Sequence, residues 1–317
     1  MVVVGGTSTS RSVRHRSVRR VITRILGLVV VVAVVAGLRY HDQIRRYVTH
    51  LKGSPTHTVA WTPFPDDLPP ELHLVAVGDI GYSSSRLRTT AAAIAELDAL
   101  QPADAIALLG DNAYPSGDPT LLADTVFGPF GPLLDGGTEL LAILGNHDVK
   151  DGNADGQVAA LGMPGRWWAR HDGDVLIVGL DSNLVDDPSQ LAWLEGVLSA
   201  ATEPWRIVLL HHPPYSAGYQ GSNEAVRDAF TPLFERYGVQ LVLSGHDHDY
   251  QRSKAINGVT YVVSGGAATT RRTGDADFTA VSFSWHHFVE VAVFPDRLVL
   301  RAVNQDLRVA DEAIIQR

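Results

Sequence analysis

The chain of 317 residues contains no cysteine. This absence excludes disulfide bonds, cysteine-ligated zinc sites, iron–sulfur clusters and a thiol nucleophile, although it does not fix the cellular compartment. Charged residues are also sparse, at 19%, while hydrophobic residues reach 45%, which is typical of a globular protein with a sizeable core. A chain of this length can form one large domain or two small ones.

Basic residues are scarce in most of the chain. Residues 1–52 hold ten Lys and Arg against one acid, Asp42, whereas the rest of the chain holds 16 basic and 34 acidic residues. A nucleic-acid backbone requires a basic surface, so the acidic body argues against DNA or RNA as a partner. A small anionic substrate is still compatible with this charge, because bound metal ions would dominate the local field.

The N-terminal region carries an apolar run behind a basic segment. Six arginines within residues 1–24 precede the uncharged run over residues 25–38. The run is shorter than a membrane span, which needs about 17–25 residues, and matches a signal-peptide core of about 7–15 residues. If it is counted from Val21, and Arg24 snorkels to the interface, it can just cross a membrane. We therefore expect either a retained transmembrane anchor or a cleaved signal.

The flanking charges predict the orientation of this segment. More arginine lies before the run than after it, so the N-terminus should stay inside and the body should be exported. We expect a membrane-anchored protein with its body outside the cytoplasm, or a secreted one if the signal is cleaved. Residues 39–70 are predicted to be a juxtamembrane segment and a proline-rich linker, since prolines prevent a helix there. The folded domain is predicted to span residues 71–317.

Five short aliphatic runs each stop at residues that bind metal ions. Runs of about four to eight apolar residues predict strands buried on both faces. In a sheet covered by helices, ligands collect at the carboxyl ends of the strands. The runs are LHLVAVGDIG (72–81), AIALLGDNAY (105–114), LLAILGNHD (140–148), IVLLHHPPY (207–215) and LVLSGHDHD (241–249).

Helices are predicted between these strands. Apolar periodicity predicts helices over residues 86–100, 188–200 and 224–237. Pro232 should bend or divide the third helix. Further strands are predicted at 174–181, 259–264, 285–294 and 297–303. Repeated strand–helix units predict an α/β fold, built as one mixed sheet or as two stacked sheets with helices outside.

The residues at the five strand ends form a candidate metal site. A cluster of Asp, Asn and His without Cys suits hard or borderline metal ions. The glycines that flank Asp79 allow a sharp turn and close approach of the backbone to a ligand. In extended chain, His246 and His248 would point the same way. The cluster comprises Asp79, Asp111, Tyr114, Asn146, His147, His211, His246 and His248.

The order of these motifs resembles the metallophosphoesterase superfamily, and within it the purple acid phosphatases. Tyr114, three residues after Asp111, is the element specific to the purple branch. The resemblance spans roughly residues 72–252 and implies the calcineurin-like fold of two mixed β-sheets flanked by helices. The motifs are DIG (79–81), GDNAY (110–114), GNHD (145–148), HHP (211–213) and GHDH (245–248).

The resemblance implies a pair of metal ions bridged by Asp111. Such ions lie about 3.5–4 Å apart and clamp the attacking and leaving oxygens of a displacement. The first ion, expected to be ferric iron, would be bound by Asp79, Asp111, Tyr114 and His248. The second, a divalent Fe, Zn or Mn ion, would be bound by Asp111, Asn146, His211 and His246. Tyr114 would bind as phenolate, which gives the family its purple colour.

The resemblance also implies hydrolysis of a small phosphorylated substrate, a phosphate monoester, by water that the ions activate. His147 would hydrogen-bond the phosphate or protonate the leaving group. The family's ligand sits two residues before the proline, which selects His211; His212 either contacts substrate or is structural. Many relatives have a histidine in the following loop, where this chain has Tyr219 and Gln220 as candidate substrate contacts.

Several other polar residues are expected to serve the structure. Asp148, Asp247 and Asp249 lie beside motif residues and are expected behind the ligands or on the surface. Arg271 and Arg272 lie in a polar loop, where they are either solvated or in contact with an anionic substrate. The remaining expectations are structural roles for Arg252, His286 and His287.

Two other functions are compatible with the same residues. A phosphodiesterase or nucleotidase of the superfamily would share the metal core, and relative activity on a diester and a monoester would distinguish it. A surface protein that binds phosphate ligands without turnover belongs to a different class. Turnover of any phosphate ester would exclude that alternative.

Overall fold

Fourteen strands form two seven-stranded sheets in the part of the chain that the structure covers. The computed structural model describes residues 1–2, 52–65 and 67–317. The apolar run over 25–38, predicted to be an anchor or signal, lies outside these residues. Within the described ranges, no helix is both long enough and apolar enough to cross a membrane.

The first sheet combines a parallel and an antiparallel half. Strands β2, β3 and β4 are parallel neighbours, and the other strands pair antiparallel. Its order is β1 (Val59–Ala60), β14 (Arg308–Gln316), β13 (Arg297–Asn304), β12 (His287–Val293), β2 (Leu72–Val77), β3 (Ala105–Leu108) and β4 (Glu139–Ala142).

The second sheet has a parallel centre with antiparallel edges. Strands β10, β8, β7 and β6 are parallel neighbours. Its order is β11 (Thr279–Phe283), β9 (Tyr250–Ser253), β10 (Thr260–Ser264), β8 (Leu241–Ser244), β7 (Trp205–Leu209), β6 (Val175–Gly179) and β5 (Trp168–Asp172).

Alternate residues of the central strands pack into two different clusters. Ile207 and Leu209 of β7 join a large cluster that contains residues of both sheets, whereas Val208 packs with the helices on the outer face. This alternation follows from the two-residue period of a strand. The described α-helices are α1 (Ser85–Leu100), α2 (Gly128–Asp135), α3 (Ala154–Ala160), α4 (Pro188–Ala200) and α5 (Glu224–Arg236). The α/β fold with two mixed sheets and flanking helices is confirmed.

Of the two effects predicted for Pro232, bending or dividing the third helix, division does not occur, because α5 is continuous through it. Proline removes one backbone donor, so the carbonyl of Asp228, four residues earlier, loses its helical partner. Both residues are exposed, and water can bond that carbonyl. The side chain of Asn223 accepts a bond from the Val226 amide and caps the start of the helix.

Part of the predicted linker belongs to the folded domain. Val59 and Ala60 pair with β14, and the next residue, Trp61, is 7% exposed. The indole nitrogen of Trp61 donates a hydrogen bond of 2.9 Å to the carboxylate of Glu290 in β12. The domain predicted to begin at residue 71 therefore extends back at least to Val59. Five prolines exclude a helix in this stretch but do not exclude an edge strand.

Candidate metal centre

The carboxyl ends of strands from both sheets border one cavity. Asp79 follows β2 and Asp111 follows β3, while His211 follows β7 and His246 follows β8. The cavity has a volume of about 130 Å³. It is lined by Tyr82, Asp111, Tyr114, Asn146, His147, Gln220, His246, His248 and Arg271.

One group of possible metal donors gathers around Asp79. The hydroxyl of Tyr114 donates to Oδ1 of Asp79 at 3.1 Å. Nε2 of His248 lies 3.3 Å from the same carboxylate oxygen and 3.3 Å from the Tyr114 hydroxyl. Three donor atoms from three separate motifs therefore lie within hydrogen-bond distance of one another.

A second group of donors gathers around His211. Its Nε2 lies 3.2 Å from Oδ1 of Asn146 and 3.5 Å from Oδ1 of Asp111. The ring centre of His246 is 5.1 Å from that of His211. Donor atoms of Asp79, Asp111 and His211 all lie within 4.8 Å of one another, so the two groups are contiguous.

Hydrogen bonds at the far side of two imidazoles orient them toward the centre. Nδ1 of His211 lies 2.8 Å from the carbonyl oxygen of Leu109, and Nδ1 of His248 lies 2.6 Å from the hydroxyl of Thr269. A proton on Nδ1 leaves Nε2 with its lone pair. This arrangement is the usual one behind metal-binding histidines.

The electrostatics of the buried groups keep Asp79 ionised and the ring of His246 neutral. Burial alone would raise the pKa of Asp79, but the hydrogen bond and charge of His248 and the charge of His211 hold it below its usual value. Burial and the charge of His211 lower the pKa of His246 to about 3. Burial and the charges of Asp79 and Asp111 raise the pKa of Tyr114. Tyr114 therefore becomes a phenolate only next to a strong Lewis acid.

Three residues at the strand ends adopt left-handed backbone conformations. The φ angles are 58° at Asp79, 56° at Asp111 and 72° at His246. Such conformations are uncommon for residues other than glycine and cluster at functional sites. The chain that carries His246 and His248 is not extended, so strand alternation does not describe their directions. Both side chains nevertheless line the cavity.

Gly110 is required where two strand ends approach each other. A Cβ atom at this position would lie 2.6 Å from the amide nitrogen of Gly145 and 2.7 Å from Nδ1 of His211. Its φ of +85° is also strained for any other residue. A side chain here would push apart the loops that carry Asp111 and His211.

Asp148 is buried behind the candidate ligands and is not at the surface. Its carboxylate accepts bonds from the amides of Asn112, Ala113 and Gly145 and from the side chain of Asn112. Burial and the charge of Asp111 raise the pKa of Asp148 to about 7. Because its carboxylate bonds the loops after both β3 and β4, Asp148 holds the loop of Asp111 against the loop of Asn146.

His147 lies at the cavity wall, next to the carboxylate of Asp111. Its backbone amide donates to Oδ1 of Asp111 at 2.8 Å, and its Nε2 is 4.0 Å from Oδ2. Nδ1 of the ring lies 2.6 Å from the carbonyl oxygen of Pro115. The ammonium of Lys150 lies 2.9 Å from Nδ1 and 3.3 Å from Nε2. When Nδ1 donates to the carbonyl of Pro115, the ammonium of Lys150 can donate only to Nε2 of the ring.

The candidate substrate residues occupy different depths. The ring centre of His212 lies 4.6 Å from that of His246, with the rings inclined at 58°. Nδ1 of His212 lies 2.8 Å from the hydroxyl of Ser182. Burial and the charge of His211 lower the pKa of His212 to about 2, so the ring is neutral. Gln220 lines the cavity, and its backbone amide donates to Oδ1 of Asp247 at 2.7 Å. Tyr219 is 57% exposed at the rim.

Other residues singled out in the sequence lie away from the cavity. Arg252 pairs with Asp311 through two hydrogen bonds of 2.6 and 2.9 Å. His287 is buried in β12, and burial lowers its pKa to about 4. His286 precedes that strand, and its Nδ1 lies 3.1 Å from the carbonyl oxygen of Gly266.

The donor set fits metal ions. It consists of carboxylate, phenol, amide and imidazole groups, which suit iron, zinc and manganese. In His211 and His248, Nδ1 is held by a hydrogen bond and Nε2 faces the oxygens of other candidate ligands. The glycine packing and the bonds to Asp148 hold the loops close enough for donors from five strand ends to meet.

Comparison with known proteins agrees with this architecture. The calcineurin-like phosphoesterase family model matches residues 72–250, which is more than half of the chain. The chain therefore belongs to the calcineurin-like phosphoesterase family and is a phosphoric ester hydrolase. The resemblance to the metallophosphoesterases and their purple acid phosphatase branch is confirmed.

Relatives and solved structures are consistent with that assignment. Tartrate-resistant acid phosphatase type 5 from Oryctolagus cuniculus is 29% identical over 250 residues, which cover 66% of this chain and 77% of the relative. The purple acid phosphatase PPD1 from Lupinus luteus seeds has a TM-score of 0.68 and 20% identity, covering 81% of this chain and 55% of that one. GAP50, the anchor in the inner membrane complex of Plasmodium, has a TM-score of 0.69 and 16% identity, covering 77% and 88%. The two structural likenesses show the fold alone.

Sequence reasoning missed the residues that position the candidate ligands. Thr269 and Ser182 bond the rings of His248 and His212 from distant loops, and no spacing rule links them to the motifs. Lys150 carried a weak signal, since a cation three residues after His147 can reach its ring. Tyr82 lies just after the first motif and stacks on Tyr114, with ring centres 4.3 Å apart.

Proposed function

We propose that this chain hydrolyses phosphate monoesters with two bound metal ions, as a phosphatase of the purple acid type. The observation that carries the proposal is the convergence of two contiguous donor groups on one cavity of about 130 Å³. A donor atom of Asp111 lies within 4.8 Å of donor atoms of Asp79 in the first group and of His211 in the second. The size of the cavity suits a phosphoryl group, while a larger leaving group would remain at its mouth.

The proposed ligands follow the two donor groups. The first ion, ferric iron, would be held by Asp79, Asp111, Tyr114 and His248. The second, a divalent Fe, Zn or Mn ion, would be held by Asp111, Asn146, His211 and His246. When bound, the ions would supply Lewis-acid stabilisation of phosphoryl charge and a water of lowered pKa.

His211 and not His212 is the proposed ligand of its motif. The carbonyl of Leu109 orients the His211 ring, and Nε2 then faces Asn146 and Asp111. A donor nitrogen of His212 lies within 4.8 Å of donor nitrogens of His211 and His246, but the hydroxyl of Ser182 lies 2.8 Å from its Nδ1. We infer that His212 packs against the ring of His246 and contacts the substrate only at the edge of the cavity.

His147 is the proposed proton donor to the leaving group. When Nδ1 donates to the carbonyl of Pro115, Nε2 is the ring atom that remains to exchange a proton with the ester oxygen. The exposed ammonium of Lys150 lies 3.3 Å from that atom, so an entering substrate must displace it. The charge of Lys150 then remains near the anionic phosphoryl group.

The proposed setting is outside the cytoplasm. Export of the body is supported by the excess of arginine before the apolar run over that after it. Retention of the run would anchor the domain to the membrane, and cleavage would release it. Mass determination of the N-terminus of protein purified from membranes and from medium would distinguish the two.

Metal analysis and paired substrates test the function. Full-length protein should contain two ions per chain and should hydrolyse p-nitrophenyl phosphate faster than bis(p-nitrophenyl) phosphate. Preference for the diester would favour the phosphodiesterase alternative. Two bound ions with no turnover of either ester would refute the proposal and leave a protein that binds phosphate without hydrolysis.

A further inference from the structure

Arg271 lines the mouth of the cavity, and the ammonium of Lys150 lies behind the ring of His147 at the cavity wall. Among the described residues that line the cavity, Arg271 is the one arginine, and there is no lysine. Its surroundings are acidic, since Asp79 and Asp111 are buried at the centre and Asp148 and Asp247 lie behind it. An anionic substrate therefore meets Arg271 on its way to the centre.

Arg271 is held in place by two contacts. Its backbone amide donates a 2.7 Å hydrogen bond to the carbonyl oxygen of His248, which ties the residue to a candidate ligand. Its guanidinium carbon lies 5.2 Å from the ring centre of Tyr219, within the distance of a cation–π interaction. A third bond, from the amide of Gly274 to the carbonyl of Ala217, joins the two loops at 3.1 Å. These contacts hold Arg271 at the mouth of the cavity, which it lines although the residue is exposed.

We propose that Arg271 binds a non-bridging phosphoryl oxygen and thereby makes the site select monoester dianions over diesters. The inference rests on the proposed phosphatase function and narrows it. A monoester has three non-bridging oxygens and a second negative charge, whereas a diester has two such oxygens and one charge. With two oxygens directed toward the metal centre, only a monoester has a third oxygen for the guanidinium. Arginine is suited to this role because its planar fork binds phosphate in a fixed geometry.

Tyr219 is a positioning residue in this proposal. Its ring supports the guanidinium, and it is not among the residues that line the cavity. Tyr219→Phe keeps the ring and should retain more of the phosphate binding than Tyr219→Ala does. Tyr219→Ala should weaken binding in the same direction as loss of Arg271, but less.

Arg272 provides a matched control. It is the next residue, carries the same charge and is exposed, but it does not line the cavity. Arg271→Gln and Arg272→Gln therefore change the net charge of the protein equally. Any difference between them reports the position of the guanidinium and not the overall field.

The experiment measures binding of inorganic phosphate to metal-loaded full-length protein by calorimetry. Loss of one charge-assisted hydrogen bond should weaken phosphate binding by about ten- to a hundredfold in Arg271→Gln. Arg272→Gln should bind as the wild type does. In kinetics, Arg271→Gln should lose kcat/KM on p-nitrophenyl phosphate and change little on bis(p-nitrophenyl) phosphate, so that the preference for monoesters falls.

Two results would overturn the proposal. The first is equal weakening of phosphate binding in both variants, and the second is an equal loss of kcat/KM on monoester and diester in Arg271→Gln. If the wild type turned over neither ester, the proposed function would fail, but calorimetry with phenyl phosphate and diphenyl phosphate would still decide the role of Arg271. Weaker binding of phenyl phosphate alone in Arg271→Gln would support it.

Discussion

The hydroxyl of Thr269 lies 2.6 Å from Nδ1 of His248 and fixes the plane of that imidazole. The contact joins the loop after β10 to the motif after β8. Because Tyr114 and Asp79 face the opposite nitrogen of the same ring, a rotation of His248 would break up the first donor group. The ligand geometry therefore depends on a residue outside the five motifs.

Replacement of Thr269 by valine should weaken metal binding. The substitution keeps the shape of the side chain but removes the hydroxyl, and loss of such a partner typically lowers metal affinity or activity by about 10–100-fold. Metal titration of the apoprotein would measure it. Thr270→Val, one residue along and exposed, serves as the control and should bind metal normally. Equal metal affinity in both variants would argue that His248 needs no orienting partner.

Tyr114→Phe should abolish visible absorption. If Tyr114 is a phenolate ligand of ferric iron, the oxidised wild type absorbs visible light and the variant does not. The fold should persist, because the phenyl ring still stacks on Tyr82. Absorption spectra and iron content should be recorded on the same samples. A colourless wild type with stoichiometric iron would contradict the purple-type assignment and leave a general metallophosphoesterase.

His147→Ala and Asp111→Asn should fail in different ways. Asp111→Asn removes bridging charge and should lose bound metal. His147→Ala should retain two ions and lose about 10²–10⁴-fold in kcat, as expected for a general acid. The loss should be smaller for p-nitrophenyl phosphate, whose leaving group needs little protonation, than for an alkyl phosphate. If His147→Ala loses an ion, His147 is a ligand and the second site is assigned wrongly.

Trp61 should stabilise the domain from within the predicted linker. Its burial and its bond to Glu290 indicate that Trp61→Ala lowers the free energy of unfolding by about 3 kcal/mol or more. Thr62→Ala, an exposed neighbour, should change it little. For the same reason, a fragment of residues 71–317 should unfold at lower denaturant concentration than one of residues 52–317. Equal unfolding midpoints for the two fragments would mean that Trp61 packs on the domain without adding to its free energy of unfolding.

The buried pair of His73 and Glu290 should make stability depend on pH. Burial lowers the pKa of His73, but the hydrogen bond and charge of Glu290 outweigh burial and raise it above 6.5. The stabilisation is complete below the unfolded-state pKa of about 6.5 and is lost as pH rises through the folded-state value. Destabilisation by His73→Gln should thus be larger at pH 6 than at pH 9. Urea unfolding would measure it, and the exposed His57→Gln should show no such trend.

The strands that lead to the motifs were predictable and β9 was not. Strands β2, β3, β7 and β8 each contain at least three consecutive apolar residues, because both of their faces are covered. Strand β9, with the sequence YQRS, has no apolar run or alternation that distinguishes it from a loop. It becomes a strand by pairing with β10 and β11, so the tertiary fold and not its own composition makes it a strand.

The candidate ligands could be predicted because each motif ends a buried strand. The residues behind them could not, because they come from loops whose position depends on the whole fold. The pair of His73 and Glu290 had a detectable signal, since His73 is the one ionisable residue of β2 and Glu290 is the one acid of β12. Their pairing across 217 residues, with 3.0 Å between ring nitrogen and carboxylate, required the sheet order.

The left-handed backbone at Asp79, Asp111 and His246 imposes a requirement that is separate from metal binding. Asparagine and glycine tolerate this conformation, while β-branched residues do not. During divergence, a descendant that abandoned hydrolysis would be free to lose the donor atoms but not the turns. Such a protein should carry Asn or Gly at these three positions, and a β-branched residue there would indicate that the strand ends had been rebuilt.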